Sequence, residues 1–103
     1  MICYHGTTIE NSLSISDEGI KAKFDYVYLT DSLDSALRWC AFKLRAQGIN
    51  QMAVIEVNVN EEELEEGCDH SPMMVQMFGV GKSLISINDI PKEKIRKIHY
   101  YKI

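Results

Sequence analysis

The chain is short of every residue type that would impose structure from outside a folded core. Two prolines and six glycines in 103 residues exclude a collagen-like or low-complexity polymer. Three cysteines, Cys3, Cys40 and Cys68, are odd in number and widely spaced, which excludes a disulfide framework. Cys68-x-His70 offers two ligands with no second pair at zinc spacing, so no metal site is expected. No segment reaches the run of about 18 apolar residues that a membrane helix needs. The opening Met1-Ile2-Cys3-Tyr4-His5 lacks the basic and long apolar regions of a secretory signal. A cytoplasmic protein without membrane contact is the expectation.

Positive charge is scarce as well. Eleven basic residues against fifteen acidic ones leave a net charge of −4, which gives no general attraction for a phosphate backbone. The acidic run Asn60 to Gly67 and the basic run Lys92 to Lys97 read as solvated surface. What remains is an ordinary globular composition, 46% apolar and 25% charged, enough for one domain over residues 1–103 with a modest core.

The hydrophobic pattern predicts the order of elements. Met1 to His5 reads as a strand. Thr8 to Gly19 reads as a short helix, with Ile9, Leu13 and Ile15 on one face and Gly19 as its C-terminal cap. Tyr26 to Thr30 is a strand. Asp31-Ser32 caps the clearest helix, Leu33 to Gln47, whose stripe of Leu33, Ala36, Leu37, Cys40, Ala41 and Leu44 recurs every three or four residues. Met52 to Val59 is apolar at nearly every position, as expected of a central strand. Asn60 to Gly67 suits a helical turn or a short strand. Pro72, Gly67, Gly79 and Gly81 mark a loop over 68–82, with Met73 to Phe78 a strand candidate inside it. Ser83 to Ile87 and Ile95 to Ile103 read as strands, the last packing through Ile95, Ile98, Tyr100 and Tyr101. Helices early and strands late indicate an α+β domain.

Several chemistries fail on spacing. Gly81-Lys82-Ser83 suggests a phosphate loop, but Gln76 stands where the motif needs glycine, and a strand follows instead of a helix. No metalloprotease helix or serine nucleophile elbow is present. Cys3 and His5 are too close along one strand to face each other as nucleophile and base. The residues that do combine are His5, Gly6, Thr7 and Thr8 on the first strand, Tyr28 on the second, and Trp39 on the helix that follows. A histidine able to bond in either direction, a glycine admitting close backbone approach, hydroxyls and two aromatic faces suit a flat heterocyclic ligand.

His5-Gly6-Thr7, a helix, then Val27-Tyr28-Leu29-Thr30-Asp31-Ser32 running without a gap into Ala36-Leu37-Arg38-Trp39-Cys40 resembles the ADP-ribosyltransferases of the diphtheria-toxin and poly-ADP-ribose-polymerase type. These are marked by His, Tyr and Glu on three separate strands. The resemblance spans residues 2–59 and implies a small split β-sheet core with two early helices. It implies NAD as substrate, with nicotinamide leaving. His5 resembles the histidine that bonds the adenosine-side ribose, Gly6 the backbone clamp on the nicotinamide carboxamide with Thr7 beside it, and Tyr28 the tyrosine that stacks on nicotinamide. Trp39 corresponds to a second stacking aromatic. The family's carboxamide-binding serine aligns with Ala36, with Ser35 one residue short.

The chain departs from the family at the glutamate, which opens a late strand and steadies the positive charge that develops as nicotinamide leaves. The matching strand, Ser83 to Ile87, holds no acid. Ser83, the candidate in the catalytic place, and Ser86 align best. Gln76 is the nearest amide before them, and Glu56, Asp69 and Asp89 are the acids the fold can bring closer. The resemblance implies a toxin-like ADP-ribosyltransferase whose acceptor is a protein side chain, a nucleic acid or a small molecule, the acidic surface favouring a protein over a nucleic acid. The alternative is a catalytically lapsed module that binds NAD, ADP-ribose or a protein partner.

Overall fold

A computed structural model describes residues 1–22, 26–66 and 83–103, and of Ser83 the backbone alone. Among the described residues six strands and two helices form: β1 (Ile2–Thr7), α1 (Ile9–Glu18), β2 (Val27–Thr30), α2 (Leu33–Ala46), β3 (Gln51–Asn58), β4 (Leu64–Glu66), β5 (Ser83–Ser86) and β6 (Ile95–Lys102). The domain is α+β, with both helices in the first half of the chain. Among the described residues, no helix is long and apolar enough to cross a membrane.

Each helix starts and stops where its side chains satisfy the backbone. The Thr8 hydroxyl accepts from the Asn11 amide at 3.0 Å and Ser32 accepts from Ser35 at 3.2 Å, both as N-caps. Thr8 is therefore a structural hydroxyl and not a free ligand group. At the other end of α1, Gly19 adopts φ +80° and donates to the Ile15 carbonyl at 2.7 Å. Its neighbour Ile20 exchanges two 2.8 Å backbone bonds with Ile90, and Asp89 accepts from the Ala22 amide and pairs with Lys21. This bracket ties the exit of α1 to the turn between β5 and β6.

The strands form one antiparallel sheet in the order β4-β5-β2-β1-β3-β6. On one face Ile15 and Ile20, from α1 and its exit, pack with Cys3, Val27, Leu29, Ile55, Val57 and Leu84. On the other, Ala36, Cys40, Ala41 and Leu44 of α2 pack with Met52 and Val54. A strand covered on both sides needs apolar residues at consecutive positions, which is why Met52, Ala53, Val54 and Ile55 are all fully buried. β3 is interior but one place from the edge, since β6 flanks it.

The sheet is narrowest at its middle. β1 pairs with β3 over six positions and β2 with β5 over four, whereas β1 meets β2 at Tyr4 opposite Thr30 alone. Two three-stranded halves thus join along a short seam, which gives the sheet a split character.

Two expectations are corrected. Leu13 is 65% exposed, because the buried face of α1 runs through Ser12 and Ile15 instead. Tyr100 is 58% exposed, since alternation along an edge strand turns it away from Tyr101. Residues 60–66 hold both structures that were expected as alternatives, a 3₁₀ turn at Glu61–Glu63 and then β4. The candidate strand at 73–78 lies outside the described residues.

The glycines provide a test of the α1 bracket. Gly48 has φ +78° in open space, so Gly48→Ala should cost only the backbone strain, about 1 kcal/mol. At Gly19 an added Cβ would lie 2.3 Å from the Ile90 carbonyl oxygen, in a chain that cannot yield cheaply. Gly19→Ala should therefore cost at least about 2 kcal/mol more, the scale of overpacking. Equal midpoint shifts in urea denaturation of the two variants would refute the bracket.

Candidate functional site

The first and second strands converge on one imidazole. His5 lies opposite Ile55 on β1, and its Nδ1 sits 2.8 Å from the Tyr28 carbonyl oxygen of β2. A carbonyl can only accept, so Nδ1 carries the hydrogen and donates. In the neutral ring the lone pair is then on Nε2, which has no hydrogen-bond partner among the described residues. The ring bridges the two half-sheets just where their ladder stops.

His5 is half-buried at the surface, yet its ring is surrounded closely enough for burial to dominate its titration. Burial lowers its pKa from the ordinary 6.5, the bond to Tyr28 opposes this, and the nearby Lys43 charge lowers it further. The ring is neutral at pH 7, with a donor fixed toward Tyr28 and an acceptor on the other nitrogen.

Tyr28 is displayed by simple alternation. Val27 and Leu29 are buried beneath the α1 face, so Tyr28 emerges on the opposite face, 48% exposed. Tyr26 meets it edge-on at 6.4 Å. Counting from Tyr4 opposite Thr30, the antiparallel register brings Tyr28 level with Gly6, on the face that α2 covers.

Gly6 explains how closely α2 comes. A Cβ built there would stand 2.6 Å from the Cys40 Cβ and 3.1 Å from the Ala36 carbonyl oxygen. The glycine is required because the helix rests directly on the strand backbone. Its sequence-level reading as an opening for a ligand misses this packing role. Ala36, the position aligned with the family serine, is part of that contact. Ser35 is buried in the first turn of α2, and Thr7 is buried at the end of β1.

One turn beyond Ser35, Trp39 is half-buried, and one turn further the Lys43 ammonium lies 5.6 Å from the indole centroid. That is cation–π range. Lys43 has no carboxylate partner among the described residues, unlike Arg38, which pairs with Asp34 at 3.0 Å. The sequence reading missed Lys43. Its signal was the helical spacing Ser35, Trp39, Lys43, which stacks the three along one side of α2.

The late strand is less decisive. Ser83 pairs with Thr30, two residues along β2 from Tyr28, which itself pairs with Ile85. Ser86 pairs with buried Val27 and donates to the Asn88 carbonyl at 2.9 Å. It is 4% exposed, so of the two serines aligned with the missing glutamate it is the structural one. Two of the three acids that were candidates in that role, Glu56 and Asp89, have other partners. Glu56 bonds His99 at 3.1 Å and stands 3.9 Å from Arg96, between β3 and β6. Asp89 belongs to the α1 bracket. Gln76, Asp69, Cys68 and His70 lie outside the described residues.

Cys3 is fully buried, and burial pushes its thiol up to about 11, while burial also raises Cys40. Neither provides a thiolate at neutral pH. A separate groove of about 740 Å³ lies between α2 and the end of β6, lined in part by Leu37, Ala41, Phe42 and Tyr101. It shares no residue with the His5 site.

No protein-family model matches this chain, and no curated protein matches it either.

Two outcomes test this geometry. Gly6→Ala should destabilise the free protein by about 1–3 kcal/mol by displacing α2, measurable by denaturation without any ligand. The depressed His5 pKa makes protonation unfavourable in the native state. Its contribution to stability is therefore complete above pH 6.5 and declines as pH falls below that value. In His5→Gln this part of the acid limb should flatten, and an unchanged slope would show that His5 is not buried as described.

Proposed function

We propose that the chain is an NAD-dependent ADP-ribosyltransferase acting in the cytoplasm on a protein acceptor. The observation that carries the reading is the bond from His5 to the Tyr28 backbone. It makes the His and Tyr strands neighbours at the seam, with the Tyr28 ring displayed and α2 seated on the intervening Gly6. That juxtaposition is the one implied by the sequence resemblance.

In this reading the neutral His5 ring accepts a ribose hydroxyl through Nε2, while its Nδ1 stays committed to Tyr28. Tyr28 offers its ring face to nicotinamide, and Trp39 offers a second. The Gly6 backbone and Ser35 lie beside the carboxamide. Breaking the bond between nicotinamide and ribose carbon develops positive charge on the sugar. A neutral histidine opposes that charge less than a protonated one would. Ser83 is the residue that aligns best with the family's glutamate. A hydroxyl in that role stabilises the cation less than a carboxylate does, so slow turnover is expected, on the order of 100-fold or more below a carboxylate-bearing site.

A second reading, a module that binds NAD or ADP-ribose without turnover, is favoured by the absence of any acid in the Ser-Leu-Ile-Ser strand β5.

Chromatographic measurement of nicotinamide release from NAD, with and without cell lysate, separates the two. The enzyme reading expects release that His5→Ala abolishes in a variant still folded by circular dichroism, and that lysate stimulates. NAD binding that needs His5 and Tyr28 but yields no nicotinamide would establish the binding module. With neither release nor binding, both readings fall.

A further inference from the structure

We propose that Lys43 is an anion-binding residue of this site, which receives a phosphate of the ligand against the face of Trp39. The inference rests on the dinucleotide reading above and adds the group that would recognise its charged portion.

Four observations lead to it. First, α2 is anchored against β1 by the contact of Ala36 and Cys40 with Gly6, and Lys43 follows Cys40 by three residues on the same helix. Its Cα is therefore set by the same contact that sets the site. Second, its ammonium, on an exposed side chain, is located over the indole at 5.6 Å. Third, the chain has an excess of acids, −4 overall. Even so, no acid among the described residues pairs with Lys43, whereas Arg38, Arg96 and Lys21 each have a carboxylate within 4 Å. Fourth, the Lys43 charge is felt at His5, where it opposes protonation.

The chemistry that fits is a phosphoryl oxyanion attached to a ribose. The oxyanion takes the ammonium hydrogens in charge-assisted bonds, and the sugar hydroxyl donates to Nε2. Lysine acts here as a point charge and needs no bidentate geometry. An uncharged nucleoside would leave Lys43 over Trp39 and gain nothing from it.

Trp39 is the only tryptophan in the chain, so its emission reports on the ammonium above it. The test titrates inorganic pyrophosphate, NAD and nicotinamide riboside into the intact chain, Lys43→Met and Lys43→Arg, at low and moderate salt. The proposal expects pyrophosphate and NAD to change Trp39 emission in the parent and in Lys43→Arg. It expects Lys43→Met to weaken NAD by about tenfold, the loss of one charge-assisted contact, and to make the salt dependence shallower. The riboside, a cation with no phosphate, should not be weakened by Lys43→Met. NAD binding of equal strength in Lys43→Met and the parent would overturn the anion site while leaving the dinucleotide reading intact. Pyrophosphate bound through Lys43 with no binding of NAD would keep the anion site and overturn the dinucleotide reading. No response to either ligand in a folded parent would overturn both.

Discussion

The close seat of α2 on Gly6 is the constraint from which the rest of the site follows. Helix–strand packing normally has side chains between the two backbones. Here Ala36 and Cys40 press on a residue with none. This places the ridge Ser35, Trp39, Lys43 at a fixed height above β1, next to the strand position that carries His5. It also keeps the α2 face of Gly6 closed, so that anything approaching its backbone must come along the seam between β1 and β2. That seam is where β1 and β2 are paired at one position only. A protein needing two strands to lie adjacent and yet admit a ligand between them has to interrupt the ladder. The imidazole of His5 caps the Tyr28 carbonyl at that interruption, in keeping with the rule that buried backbone acceptors find partners.

His5 therefore serves two ends with two nitrogens. One holds the halves of the sheet together and the other is left as an acceptor. The bond to Tyr28 sets the tautomer, and burial with the Lys43 charge sets the protonation state. A histidine used only as core would have both nitrogens satisfied or enclosed. Here the partner of one nitrogen comes from the strand bearing the displayed tyrosine, which couples the position of Tyr28 to the position of His5.

The elements were legible because their local chemistry agrees with their packing. The α2 stripe from Leu33 to Leu44, the caps Thr8, Ser32 and Gly19, and the unbroken apolar run of β3 all appear at the positions their patterns predict. What misled was identity at single residues. Leu13 is apolar but lies off the α1 face, whereas Ser12 is fully buried because its hydroxyl donates to the Ile9 carbonyl at 2.6 Å. Gly6 reads as permissive toward a ligand, when the neighbour that needs its missing side chain is 30 and more residues away along the chain. Lys43 was signalled only by its helical spacing from Ser35 and Trp39. That no carboxylate among the described residues pairs with it is a property of the surface and not of spacing.

The acids carry the final step. A carboxylate at the start of β5 would sit beside Thr30 of β2. Glu56 cannot move there, because it is bound between His99 and Arg96 on the far side of β1, and removing it would strand both partners. Asp89 is tied to Ala22 and Lys21 in the bracket of α1. On the proposed reading, with those two carboxylates engaged elsewhere, stabilisation of a cationic sugar would fall to dipoles and attraction for the ligand to Lys43. Such a division would favour tight holding of an anionic nucleotide over fast cleavage of it. A site of this kind would owe its specificity to the phosphate and the stacked ring more than to the reacting carbon.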